Sequence, residues 1–251
     1  MNVSRKKIFK TVLILFSAGV LLIFIVAGIV IVRTWGKRVI QVDIRQNMDI
    51  IHISTFGEPP QFAIWLENLE TRDLKTVFVT HRVAVGDWEG KADVPVALPQ
   101  WSKLFLDNND ASDGSGSAKR SDLVITGATP KEDYFSVRAE VRPGSEWICW
   151  IEMNLAGDFN EAFPEYDIET FYVDEYSRGQ PSLLYRAEIK AVENMIFTPV
   201  LEAQSVLKNG KVIIEPVSEG VTTAKYVFDT IQISVIRPKP KLIDKTSIEK
   251  Y

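Results

Sequence analysis

Two short stretches of this chain set an indole and a carboxylate on one face of a strand: Trp65-Leu66-Glu67 and Trp150-Ile151-Glu152. Residues two apart share a face of an extended chain, so each Trp stands beside its Glu. The embedding segments, Ile64 to Glu67 and Cys149 to Glu152, echo each other, by chance agreement of two strands or by duplication of a sheet. An aromatic plane beside an acceptor is the chemistry of polar-ligand recognition, sugars included. Trp88 and Trp101 extend that candidate surface. The alternative is that these aromatics fill a second core layer, because large aromatic side chains are highly buried on average. Pairing Glu67 with Glu152 as glycosidase carboxylates has only abundance behind it, since the chain holds 33 acidic residues and the separation that defines the chemistry is not readable from sequence.

Other chemistries find less. Two histidines, His52 and His81, and one cysteine, Cys149, do not provide the local ligand pairing that zinc requires. No metal site is expected. His81 falls on the Val77, Val79, Val83, Val85 face of an extended segment and reads as a core or edge histidine. Cys149 shares a face with Trp147, Ile151 and Met153 and reads as a small buried hydrophobe. Asp158, Asn160 and Glu169 match calcium-loop positions one, three and twelve, but Ala162, Phe163 and Pro164 occupy the turn. That loop cannot make the bend that calcium ligation needs. Gly-x-Ser-x-Gly, His-Glu-x-x-His and Gly-rich phosphate loops are absent, and the expected role is binding rather than catalysis.

The segment Thr126-Gly127-Ala128-Thr129-Pro130 can be read in two ways. Thr-Gly-Ala-Thr resembles the site at which a flavin transferase attaches FMN to threonine in electron-transfer subunits of the sodium-pumping quinone reductase and related complexes. That resemblance implies Thr129 as acceptor, within a cofactor site that includes Thr126 and Gly127, and a membrane-tethered flavin carrier. The acidic residue usual three positions before the motif is replaced by Leu123, with Asp122 one residue off. The chain also resembles a family of uncharacterised bacterial exported domains, on an ordered set of motifs. These are Trp65-Leu66-Glu67-Asn68, Lys75-Thr76-Val77-Phe78-Val79, Trp88, Leu98-Pro99-Gln100-Trp101, and Thr126 to Pro130. This resemblance implies an exported β-sandwich and no established activity. In it, Thr126 to Pro130 is a structural turn, with Gly127 permitting the bend and Pro130 fixing the exit.

The elements that must carry these residues are strands. Hydrophobicity alternates with period two over 134–141, 183–191 and 226–235, the mark of half-buried strands. Further strands are expected at 39–45, 48–55, 62–68, 74–85, 146–155, 168–174, 197–207 and 211–215. Glu70 to Asp73 and Asn209-Gly210 are expected hairpin turns. No segment after Val32 shows a sustained helical period. The fold class is therefore all-β: an antiparallel β-sandwich over 33–236, as one unit or two β subdomains divided at a flexible loop over 107–122. An extended tail follows over 237–251.

Ahead of the strands, residues 11–32 carry no charge. As a helix they span roughly 33 Å, enough for a bilayer core. The run exceeds a signal-peptide apolar region and lacks an Ala-x-Ala site, which favours an uncleaved anchor. Residues 1–38 hold seven basic and no acidic groups. Taking these from the net charge of −4 leaves −11 on residues 39–251. The expected arrangement is a cytoplasmic stub at 1–10, a single plasma-membrane span, and an acidic body outside the cytoplasm. The acidity argues against a nucleic-acid partner; a small polar ligand or another protein is expected instead. With one cysteine the body has no internal disulfide and must rely on its core.

Overall fold

In the computed structural model, residues 2–85, 97–110, 126–127, 130–175 and 177–238 are described. The first helix, α1, runs Asn2–Thr34. Its segment Phe9–Val32 has a mean hydropathy of 3.0 and is unburied by the rest of the chain, so it is long and apolar enough to cross a membrane. Three residues later the strands begin: β1 (Arg38–Gln46), β2 (Gln61–Asn68), β3 (Leu74–Thr80), β4 (Thr126–Gly127), β5 (Tyr134–Val141), β6 (Glu146–Asn154), β7 (Tyr166–Asp167), β8 (Tyr172–Val173), β9 (Ser182–Lys190), β10 (Ile196–Phe197), β11 (Val200–Lys208), β12 (Lys211–Glu215) and β13 (Phe228–Ile236).

Most strands fall into two sheets, of order β10-β13-β1-β5 and β12-β11-β9-β6-β2-β3-β4, antiparallel except where β4 joins β3. The alternating residues decide how the sheets pack. Ile40, Val42 and Ile44 of β1 face Phe62, Ile64 and Leu66 of β2 and Cys149, Ile151 and Met153 of β6 in one buried layer. Four rings lock its centre. Phe62 lies 5.1 Å from Phe78, 5.2 Å from Phe135 and 5.6 Å from Phe228, taking two rings from each sheet. The all-β sandwich is therefore the observed architecture.

The hairpin turns follow the sequence. Asn209 and Gly210 both adopt positive φ, +53° and +71°, as a two-residue turn of primed type requires. The Asn68 side chain accepts from the Glu70 and Thr71 amides and closes the β2–β3 turn.

Helices appear beyond Val32, where none was expected. Residues Met48–Ile53 form α2, capped by the Asn47 side chain accepting from the Ile50 amide, with Ile51 plugged into the core. The expected strand at 48–55 is thus a helix, because the chain must turn back at the end of the sandwich and Asn47 supplies the cap. The expected strand 74–85 stops at Thr80. It turns into α3 (His81–Val85), which leaves His81 exposed and carries Val83 back onto the outer face of the sheet. A twelve-residue α4 (Pro99–Asp110) covers that same face and reaches into the span expected as a loop from 107. Of the strand expected at 168–174, only Tyr172–Val173 is extended, paired with Tyr166–Asp167 in a separate hairpin.

Phe62→Ala is expected to destabilise the domain by about 3–5 kcal/mol, the usual cost of deleting a buried aromatic ring. Chemical denaturation checks this, and a cost near that of a surface substitution would show that the four-ring contact does not hold the sheets together.

Candidate functional site

The two Trp–Glu pairs lie on the outer face of the larger sheet, and the structure closes that face. Trp65 pairs across the ladder with Trp150, the rings stacked at 6.3 Å and 17°. Trp65 and Trp101 are buried with Val79, Val83, Leu98 and Leu184 in a second core under α4. The Trp101 indole donates to the Thr76 hydroxyl at 3.3 Å. Trp150 is half-buried at the margin, with the Arg186 guanidinium 5.8 Å from its ring. The alternative of a second core layer thus holds for Trp65 and Trp101, and the open aromatic platform is corrected. Trp88 lies outside the described residues.

Glu152 has a defined task. It is fully buried, and its carboxylate accepts from the Gln100 amide at 3.1 Å, the Trp101 amide at 2.7 Å and the Ser182 hydroxyl at 2.9 Å. Gln100 and Trp101 open α4, where backbone amides have no partner within the helix. Pro99 stands first, where a missing N–H costs nothing. The Leu98-Pro99-Gln100-Trp101 motif is therefore a helix start seated on a buried acid. Burial pushes the Glu152 carboxyl up to about 7, against the downward pull of these donors. Glu67 instead sits near the end of β2, paired with Arg72 at 2.8 Å and accepting from the Trp150 indole at 3.4 Å. Glu152 lies opposite Ala63, four residues from Glu67, or roughly 13 Å at the strand rise. The two acids thus stand at separate places on the outer face, each engaged by its own partners.

Cys149 is buried between the sheets and its thiol is pushed up to about 12, which makes it an inert hydrophobe there. Thr126 and Gly127 form β4, paired in parallel with Val79 and Thr80; Thr129 lies outside the described residues. Among the described residues no group of three or more His, Cys, Asp or Glu is arranged to hold a metal ion.

A cleft of about 640 Å³ opens instead at the ends of β6, β9 and β11, under the segment joining β6 to β9. Phe163 and Tyr172 give it aromatic walls, Arg178 and Lys208 line it with cations, and Asn154 and Ser182 line it from the strand ends. Two buried acids support the covering segment. Asp158 accepts from the Gln180 amide at 2.8 Å, and Asp174 accepts from the Gly179 amide at 2.9 Å. Gly179 adopts φ +71°, and a Cβ there would come within 2.3 Å of the Asp158 Oδ1. Gln180 donates to the Asp158 carbonyl and the Thr223 hydroxyl and accepts from the Thr222 amide, clamping the segment to the 3-10 turn Thr223–Tyr226. Arg178 contacts Asp174 at 3.7 Å and donates to the Tyr172 hydroxyl at 3.1 Å. The Asp158 Oδ2 has no hydrogen-bond partner among the described residues. Burial, with Asp174 adding repulsion, pushes this carboxyl up to about 8.

Sequence reading missed the cleft. Asp158 and Asn160, set against a calcium loop by the sequence, have other tasks: Asp158 is buried and Asn160 caps its own turn. The available signal was a long stretch without sustained period between two strong strands, which in a compact domain is commonly a binding loop. Comparison with protein family models, curated proteins and solved structures gives no match.

Two outcomes follow for the buried acids. Asp158 and Glu152 are raised in the folded state, so the native protein holds protons that the unfolded chain has released. Their stabilising contribution is complete below about pH 4, the ordinary carboxylate range, and is lost as pH rises to about 8 for Asp158 and about 7 for Glu152. Melting scans from pH 5 to 8.5 should show Tm falling, and Asp158→Asn should flatten the fall; an unchanged slope would place Asp158 elsewhere. Glu152→Gln turns an amide donor toward the α4 amides and should cost about 1–3 kcal/mol, the penalty of an unmade buried hydrogen bond, measured by denaturation at pH 8.

Proposed function

We propose that this chain is a membrane-anchored binding module: α1 spans the plasma membrane with the stub inside, and the sandwich stands outside. Its ligand is a small hydroxylated molecule carrying one anionic group, such as a sugar acid, held in the cleft beside Arg178. The single observation carrying this reading is the cleft's lining. Aromatic walls suit the apolar faces of a sugar ring. Arg178 lies near Asp174, but a guanidinium has five donors in a fixed fork, leaving capacity for a carboxylate. Lys208, although paired with Glu215 at 3.3 Å, is a second cation beside the same space. The volume falls within the range of small-molecule pockets, about 300–1,000 Å³.

The orientation is supported by the basic stub and by the bulk of the chain lying beyond the span. A binding role rather than a catalytic one is supported by the quiet setting of the reactive groups. The cysteine is inert, the exposed His81 opens a short helix, and each buried acid holds backbone amides.

Titration calorimetry of the full chain in lipid nanodiscs, with glucuronate and glucose as probes, tests the reading. Glucuronate should bind saturably and more tightly than glucose. Arg178→Ala should weaken glucuronate about tenfold or more, the worth of a charge-assisted hydrogen bond, while leaving glucose little changed. Equal affinity for the two probes, or an Arg178→Ala variant that binds glucuronate as well as the parent, would remove the anionic-ligand assignment.

A further inference from the structure

The end of the sandwich nearest the anchor has its own exposed chemistry. Only Trp35, Gly36 and Lys37 separate α1 from β1, so the start of β1 lies within about 14 Å of the helix end at full chain extension. The β9–β10 turn sits at that start. Arg38 pairs with Glu193 of the turn at 3.4 Å, and Arg237, just past β13, pairs with the same carboxylate at 3.7 Å. The turn is rigidly held: the Asn194 amide donates to the Val235 carbonyl at 2.8 Å, and the Val235 amide donates to the Met195 carbonyl at 2.9 Å. On this fixed turn and at the start of β10 three apolar side chains are exposed, Val192 at 43%, Met195 at 39% and Ile196 at 64%. Trp35 is 79% exposed at the foot of the anchor.

We propose that this base rests on the outer headgroup layer of the bilayer that α1 crosses, with Val192, Met195 and Ile196 dipping in as an apolar wedge and Trp35 in the interfacial aromatic belt. The inference rests on the reading of α1 as a membrane span. Three features select lipid as the occupant. The chain allows the turn no great distance from the bilayer surface. Trp at the water–lipid boundary is the favoured anchor residue. The one acid on the turn, Glu193, is neutralised by two arginines, which removes its repulsion from anionic headgroups, and Arg142 stands exposed in the adjoining turn, whose Gly144 amide donates to the Ala191 carbonyl. The acidic body as a whole would not seek such a surface, so contact is confined to this end.

The opposite end supplies the control. The β7–β8 hairpin also exposes apolar residues, Ile168 and Phe171 among them, but it joins the far end of β6 to the start of β9. Single cysteines placed at Val192, Ile196, Phe171 and Leu22 are each spin-labelled in the full chain, reconstituted in phosphatidylcholine–phosphatidylglycerol vesicles. The native Cys149 is buried and is checked as an unlabelled background. Collisions with oxygen, which partitions into lipid, are compared with those of a water-soluble nickel chelate. Labels at 192 and 196 should show an oxygen-to-nickel ratio severalfold above that at 171, and 22 should show the highest ratio. If 192 and 196 are as water-accessible as 171 while 22 reads lipid, the docking is wrong and the anchor stands. A water-accessible 22 overturns the anchor and the docking together, and a lipid-facing 171 with water-facing 196 would show the sandwich resting on its other end.

Discussion

The larger sheet is apolar on both faces, and the rest of the structure answers that one constraint. Phe62, Ile64 and Leu66 point to one side of β2, Ala63 and Trp65 to the other, and all are buried. A second sheet can cover only one face. The other needs a lid, which α3, the Ala97-Leu98 segment and α4 provide with Val83, Leu98 and Trp101. Burying a side chain of this size is worth roughly 1.5–3 kcal/mol, so the lid is well held by apolar contact alone. Its geometry is set elsewhere. A helix start pressed onto a sheet carries free amides into the interior, and they must find acceptors. Glu152 is that acceptor. The acid is costly to bury and would be costlier to remove, because the amides would then be left unpaired.

That requirement explains why an acid in the middle of a strand is not a catalytic sign here. Glu152 and Trp150 share a face with Glu67 and Trp65, and the echo suggests a repeated surface. In the folded chain the four side chains diverge. One Trp is core and the other marginal; one Glu seats a helix, and the other pairs with Arg72 in the hairpin that follows. Position along the strand relative to α4 decides each fate.

The strands were legible because alternation survives wherever one face meets the core and the other meets water, as at Phe135, Val137 and Ala139 of β5. The hairpins were legible from turn chemistry, as at Asn209-Gly210. The lid was not. Its Pro99 reads as a breaker until the start of the helix is known, and its polar stretch from Asp107 reads as loop. A subtler clue was present: Phe62 to Leu66 is an unbroken apolar run, which in a strand signals cover on both sides, although antiparallel context makes one wet face the usual expectation. The same logic hid the short helices. Met48–Ile53 has strand-forming residues, and only Asn47 and the turn-back of the chain make it helical. The cleft's lining was not legible because it comes from an irregular segment and the ends of three strands, β6, β9 and β11, far apart in the chain.

The cleft's buried acids follow from that irregularity. A segment without strand partners, folded over the ends of β6 and β9, leaves amides at Gly179 and Gln180 pointing inward, and Asp174 and Asp158 receive them. The Asp158 carboxyl is raised by the burial that comes with closing the sandwich end. The two acids differ in what remains free. Arg178 approaches Asp174, whereas nothing among the described residues meets the second oxygen of Asp158. Retaining a proton on Asp158 relieves both its desolvation and its repulsion by Asp174. The covering segment is thus held by one acid that Arg178 approaches and one that burial keeps toward its protonated form.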